Sequence, residues 1–145
     1  MITLAEYQTL YDSINLKTYI SILEEVVSID KNRLDLELET QAKLYTFFSG
    51  MCVMAKQKMD AAFHRIENFT TIEKNNYRNT SGKASVDVVE SYVKGKEDYI
   101  NLRDTHLQLT EKYELLKALC RGLEQKKDML VQLSSNARAE TKLYK

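Results

Sequence analysis

The stretch SVDVVESYVKGKEDYINLRDTHLQLTEKYELLKALCRGLEQKKDMLVQLSSNAR, Ser85–Arg138, decides the fold. Within it one leucine recurs at every seventh position: Leu102, Leu109, Leu116, Leu123 and Leu130. Seven residues come close to two helical turns, so these side chains stack in one line along a helix face. Leu119 and Leu133 hold the intermediate position in two heptads, and Lys112 and Lys126 hold it in two others. The spacing predicts a helical seam facing a partner helix and interrupted by two cations.

The partner lies N-terminal to it. Leu34, Leu38, Gln41, Tyr45, Phe48, Cys52, Ala55, Met59, Ala62, Ile66 and Phe69 are spaced alternately four and three, with Gln41 the polar member. A second apolar stripe, Leu44, Phe47, Met51 and Met54, runs beside it. Such a wide face asks for more than one partner helix. Gly50 sits inside that face and weakens the helix by about 1 kcal/mol against alanine, which close approach of another backbone would offset. The polar run through Asn75-Asn76 and Asn79-Thr-Ser-Gly82 has no apolar period and reads as a loop, with Ser85 and Asp87 capping the helix beyond it.

Toward the N-terminus, Thr3-Leu-Ala-Glu6 has capping-box form and Asp12-Ser-Ile-Asn15 reads as a turn. Tyr19, Ile20, Leu23, Val26 and Val27 are again helical in spacing, and Ser28-Ile-Asp30 is either a break or part of one uninterrupted helix. The expectation is an all-α, single helical domain over 1–145: a short helix at about 3–14, a first arm at 18–73, a loop at 74–85 and a second arm at 86–138. The arms form a long antiparallel hairpin with heptad seams. The short N-terminal helix packs alongside, and the second stripe asks for self-association or a fold-back of the arms. A homo-oligomer is expected, with Leu44, Phe47, Met51, Met54, Leu102, Leu109, Leu116 and Leu123 at the oligomer or partner interface.

Composition supports the class. Of 145 residues none is proline and four are glycine, too few turn-formers for a β-rich fold. Lys plus Arg and Asp plus Glu are 21 each, so no net field attracts nucleic acid or membrane. The charge is uneven, however: residues 1–50 carry a net −4 and the remainder a net +4. The apolar patch from Phe47 to Ala55 is too short to span a bilayer, and the N-terminus lacks signal-peptide form. A cytoplasmic location follows as the expectation.

No catalytic constellation is evident. The chain has no Gly-rich phosphate loop and no His-Glu pair at metal spacing, so neither an enzyme nor a cofactor is expected. Cys52 and Cys120 fall on apolar stripes and read as buried free thiols. Tyr92, Tyr99, His106, Tyr113 and Cys120, each seven apart, flank the leucine seam. They alternatively offer aromatic faces on which single-stranded bases stack. Residues 112–145 hold eight basic and four acidic groups, with Lys117, Arg121, Lys126, Lys127 and Arg138 as candidate phosphate contacts.

Tyr113-Glu-Leu-Leu-Lys-Ala-Leu-Cys-Arg-Gly-Leu, then Lys126-Lys-Asp-Met-Leu-Val-Gln-Leu and Asn136-Ala-Arg-Ala-Glu140, resemble the C-terminal helix of phage recombination mediators of the UvsY type. Phe47-Phe-Ser-Gly50 is similar to an aromatic-aromatic-Ser-Gly segment of that family, although only Lys43 closely precedes it where the family has a basic stretch. The resemblance implies a small helical protein that assembles into rings, binds single-stranded DNA, and helps a recombinase displace a single-strand-binding protein. The host cell cytoplasm would be its compartment if the chain is phage-encoded. From another class, the residues also allow a helical interaction or chaperone-like module that grips a partner's amphipathic helix through Phe47, Met51 and Met54.

Overall fold

Without proline, helices in this chain end only where a side chain or glycine ends them. A computed structural model describes residues 3–144 and shows five α-helices among them. These are α1 (Leu4–Ser13), α2 (Leu16–Val27), α3 (Leu34–Ser81), α4 (Val86–Lys94) and α5 (Glu97–Leu143), with one 3-10 turn, Lys31–Arg33, ahead of α3. No strand occurs among the described residues, and the fold is all-α as composition predicts. At α1 the capping box closes both ways, with the Glu6 amide donating to Thr3 Oγ1 at 3.2 Å and the Thr3 amide to Glu6 Oε2 at 2.6 Å. Asn15 caps α2, Asp30 Oδ1 accepts from the Asn32 amide at 3.0 Å, and Ser85 Oγ accepts from the Val88 amide at 3.3 Å.

One boundary left open by the sequence is a break, and two others differ from the expectation. The first arm is broken: Ser28 leaves the helix in an extended conformation and Asp30 restarts the chain. Helix α3 continues through the polar run to Ser81, where Gly82 turns left-handed at φ 73° and its amide bonds back to the Arg78 carbonyl. That run is held by tertiary contact instead of periodicity. Lys74 pairs with Glu90 of α4, Tyr77 lies 4.7 Å from Tyr92, and Glu73 receives the Lys96 ammonium. The second arm is interrupted as well, since Gly95 ends α4 and α5 begins at Glu97.

The chain falls into two compact units, Met1–Met54 with Lys112–Lys145, and Ala55–Glu111. In the second, α3 and α5 run antiparallel, with Phe63 against His106 and Glu73 against Lys96 just ahead of α5, over a core of Ala55, Ala62, Val89 and Val93. In the first they are antiparallel again. Gln41 Nε2 donates to the Leu123 carbonyl at 2.6 Å, Tyr45 Oη to Glu124 at 2.8 Å, and Ser49 Oγ lies 4.0 Å from Cys120 Sγ. The core of that unit joins Tyr11, Ile14, Val26, Phe48 and Met51 to Leu116, Leu119, Leu123 and Leu130 of the heptad seam. Helix α2 lies along α5, and a Cβ added to Gly122 would come within 3.3 Å of Val27 and 3.4 Å of Leu23. The close approach predicted at Gly50 is not a backbone: a Cβ added there would meet the Tyr7 hydroxyl at 3.7 Å.

The two lysines that interrupt the leucine line complete the first unit. The Lys112 ammonium donates to the carbonyls of Tyr11 and Asp12, each at 3.0 Å, and lies 4.8 Å from the Tyr11 ring centre. The Lys126 ammonium donates to the Val26 carbonyl at 2.9 Å and meets the Glu37 carboxylate at 2.8 Å. These carbonyls belong to the last turns of α1 and α2, where intrahelical donors run out and the helix dipole is negative. Neither helix carries a basic residue in its own last turn. The cations come from α5.

Leu116 is 1% exposed, so Leu116→Ala should lower the stability of the chain by about 2–5 kcal/mol. Chemical denaturation followed by circular dichroism measures it, and an unchanged midpoint would show that the seam carries no stability.

Candidate functional site

The candidate surface is the stretch of α5 from Lys117 to Arg138, with its cations. Lys117 and Arg121 are one turn apart and share a face. The Lys117 ammonium lies 5.7 Å from the Tyr113 ring centre, and exposed Arg121 borders a groove with Tyr19, Leu23 and Val27 of α2. Lys127 is six residues beyond Arg121, about 120° around the helix. It lines a different cleft, with Leu38, Gln41 and Tyr45 of α3 and with Glu124 and Asp128. Arg138 is exposed near Leu34 and Asp35, and its Nε donates to the Ser134 carbonyl at 3.3 Å. The five candidates therefore do not form one ribbon. Arg121 borders α2, Lys127 and Arg138 lie toward α3, Lys117 is close enough to Cys52 of α3 to act on its thiol, and Lys126 is in the core at 5% exposure.

Carboxylates temper these cations. Glu114, Glu124 and Asp128 lie on the same helix. The Tyr45–Glu124 hydrogen bond holds the Tyr45 phenol above its ordinary range, because the charged carboxylate favours the protonated partner.

The tyrosine stripe resolves into side chains with neighbours. Within the second unit Tyr92 has Tyr77 at 4.7 Å and the Lys96 ammonium at 4.9 Å, and His106 has Phe63 at 5.8 Å. The bond to Glu73 raises the proton affinity of Lys96. This Tyr77–Tyr92–Lys96 cluster escapes sequence reasoning because its partners sit on opposite sides of a polar run. Tyr92 heading the seven-residue series is its one signal.

The residues expected at an oligomer interface are in part spent within the chain. Phe47 stacks on Tyr7 at 4.7 Å and edge-on to Phe48 at 5.0 Å, so α1 covers the stripe whose width suggests another subunit. Met51 and Leu123 are 0% exposed and Leu116 is 1% exposed. Leu44, Met54, Leu102 and Leu109 are half-buried. The surface of Phe47, Met51 and Met54 through which a partner helix would be gripped is thus largely filled. Among the described residues no group of three or more His, Cys, Asp or Glu is placed to hold a metal ion, and no helix is long and apolar enough to cross a membrane.

No protein-family model and no curated protein sequence matches the chain. A solved structure does match: the crystal structure of UvsY, the recombination mediator protein of bacteriophage T4. The TM-score is 0.74 at 11% sequence identity, over 88% of this chain and 99% of that one. The chain has the UvsY fold.

The burial of Lys126 separates packing from binding. Lys126→Met would leave Glu37 without its cation and the Val26 carbonyl without its donor, and should lower stability by about 3–5 kcal/mol. Adding Glu37→Leu should restore most of it, since an apolar pair replaces a buried ionic one at little cost. Urea denaturation of the two variants checks this. Equal stability of Lys126→Met and the parent would mean that the ammonium is solvated.

Proposed function

We propose that this chain is a non-enzymatic recombination mediator that binds single-stranded DNA and assists a recombinase against a single-strand-binding protein, in the cytoplasm. The observation that carries the proposal is the match to the T4 mediator, which spans nearly the whole of both chains. A shared fold is an analogy about function, so the chemistry has to come from the surface. Lys117, Arg121, Lys127 and Arg138 supply cations that reach solvent, and Lys126 leaves the proposed set because its ammonium is spent inside. A neutral chain holds a polyanion through such local groups only, and repetition of a modest patch in an assembly multiplies its effect.

Self-association belongs to the same proposal. The stripe at Phe47 and Met51 no longer argues for it, but other apolar side chains do. Leu16 and Ile20 of α2 are 58% and 52% exposed, and Met129 and Val131 of α5 are 58% and 53% exposed. Light scattering at micromolar concentration should give a mass well above the 16.9 kDa of one chain. A clean monomer would defeat this part of the proposal.

Binding is tested by titrating a fluorescent single strand at several salt concentrations. Lys117 and Arg121 are one turn apart, and Lys127 and Arg138 both line clefts against α3, so two double variants test where DNA binds: Lys117→Glu with Arg121→Glu, and Lys127→Glu with Arg138→Glu. Removing one cation that meets a phosphate should flatten the slope of log affinity against log salt by about 0.7. The pair that meets DNA should weaken binding in every sequence context while helicity stays as in the parent. If the parent shows no salt-sensitive binding, the proposal fails.

A further inference from the structure

Cys52 and Cys120 stand opposite each other in the seam of the first unit, and nothing in the recombination reading uses them. Cys52 is on α3 and Cys120 on α5, and both are half-buried free thiols. The antiparallel register set by Gln41 on Leu123 and Tyr45 on Glu124 brings this turn of α3 onto Cys120. Ser49, on the same face as Cys52 and one turn before it, places its hydroxyl 4.0 Å from the Cys120 sulfur. Each thiol is close enough to perturb the protonation of the other. They are a pair facing across two helices, each half-buried.

We propose that Cys52 and Cys120 form a dithiol redox site, which a low-molecular-weight disulfide of the glutathione class oxidises to an intrachain disulfide joining α3 to α5. The chemistry balances as two thiol–disulfide exchanges. The Cys52 thiolate attacks one sulfur of the small disulfide, and the sulfur–sulfur bond breaks to release one small thiol and leave a mixed disulfide on Cys52. Cys120, losing its proton to water, then attacks the Cys52 sulfur and expels the second small thiolate, which takes up a proton. Two electrons pass from the protein sulfurs to the small disulfide, and two small thiols leave.

The surroundings set the order. Burial pushes both thiols up. The Lys117 ammonium works against that at Cys52, with Glu114 opposing it more weakly. At Cys120 the Ser49 hydrogen bond works against it, Cys52 and Glu124 add to it, and no cation among the described residues acts on the sulfur. Cys52 is therefore the attacking thiol and Cys120 the resolving one. Both are mostly protonated at neutral pH, so the site is slow until an oxidant accumulates, and excess thiol reverses it.

The experiment takes the full native chain, incubates it with oxidised glutathione, traps free thiols by alkylation and maps the peptides. The expected product has lost two hydrogens in intact mass, carries a Cys52–Cys120 cross-linked peptide within one chain, and unfolds at a higher temperature than the reduced protein. Cys120→Ser should accumulate the glutathione adduct at Cys52, and Cys52→Ser should form neither cross-link nor the stabilised species. Helicity of both variants confirms that they fold, and Cys→Ala versions stand in if they do not. The proposal is overturned if the native chain stays reduced, carries separate adducts on both cysteines, or cross-links only between chains or after denaturation. None of these readouts involves DNA, so the result is independent of the mediator proposal.

Discussion

A lysine ammonium inside a hydrophobic seam has to be surrounded by acceptors, and that requirement organises the first unit. Lys126 reaches the last turn of α2 and the Glu37 carboxylate of α3 together, so one side chain of α5 ties down two other helices. Lys112, two heptads earlier, does the same for the end of α1 and lays its charge against the Tyr11 ring. Short helices of ten and twelve residues are marginal on their own and need their ends and faces held. The lysines hold the ends. The leucines between them hold the faces. Such ionic groups specify an arrangement more than they stabilise it, because a misregistered α5 would leave both cations without acceptors.

How legible this was depended on whether a feature is local. Caps are local: Thr3 with Glu6, Asp30 and Ser85 each announce a helix start within a few residues, and each does so in the structure. Seams are nearly local, since their period survives over many turns. What the sequence leaves unread is contact between distant stretches. Lys112 and Lys126 look like defects in a leucine line because their acceptors lie about a hundred residues away. The polar run after Thr70 looks like a loop because Tyr92, Glu90 and Lys96 do not announce that they will cover it. Gly95 ends a helix beside several other exposed polar residues, and nothing nearby marks it as the stronger break.

The candidate surface was legible as composition and illegible as geometry. Counting charges finds an excess of cations after residue 112, but a count does not say on which side of a helix each one stands. Position along a 3.6-residue turn separates Arg121 from Lys127, and the neighbours of each confirm the separation. Lys126 is the instructive case. By sequence its heptad position sets it in the seam and its charge makes it a candidate phosphate contact. In the fold its neighbour Lys127 is exposed, while Lys126 itself is buried among the leucines of the seam.

The division of the chain also sets an order of events during synthesis. The Ala55–Glu111 unit is continuous in sequence, so all of its contacts are available once that segment has been made. The other unit joins the first fifty-odd residues to the last thirty-odd, through bonds such as Gln41 to Leu123 and Lys112 to Tyr11 that span 82 and 101 positions. Its N-terminal helices therefore emerge from the ribosome with Met51, Phe48 and Tyr11 uncovered, and they wait for α5 while the middle of the chain is already closing. Closing such long loops is slow and leaves apolar surface exposed meanwhile. Loss of the last thirty residues would remove the wall of the core that the first helices are built to meet.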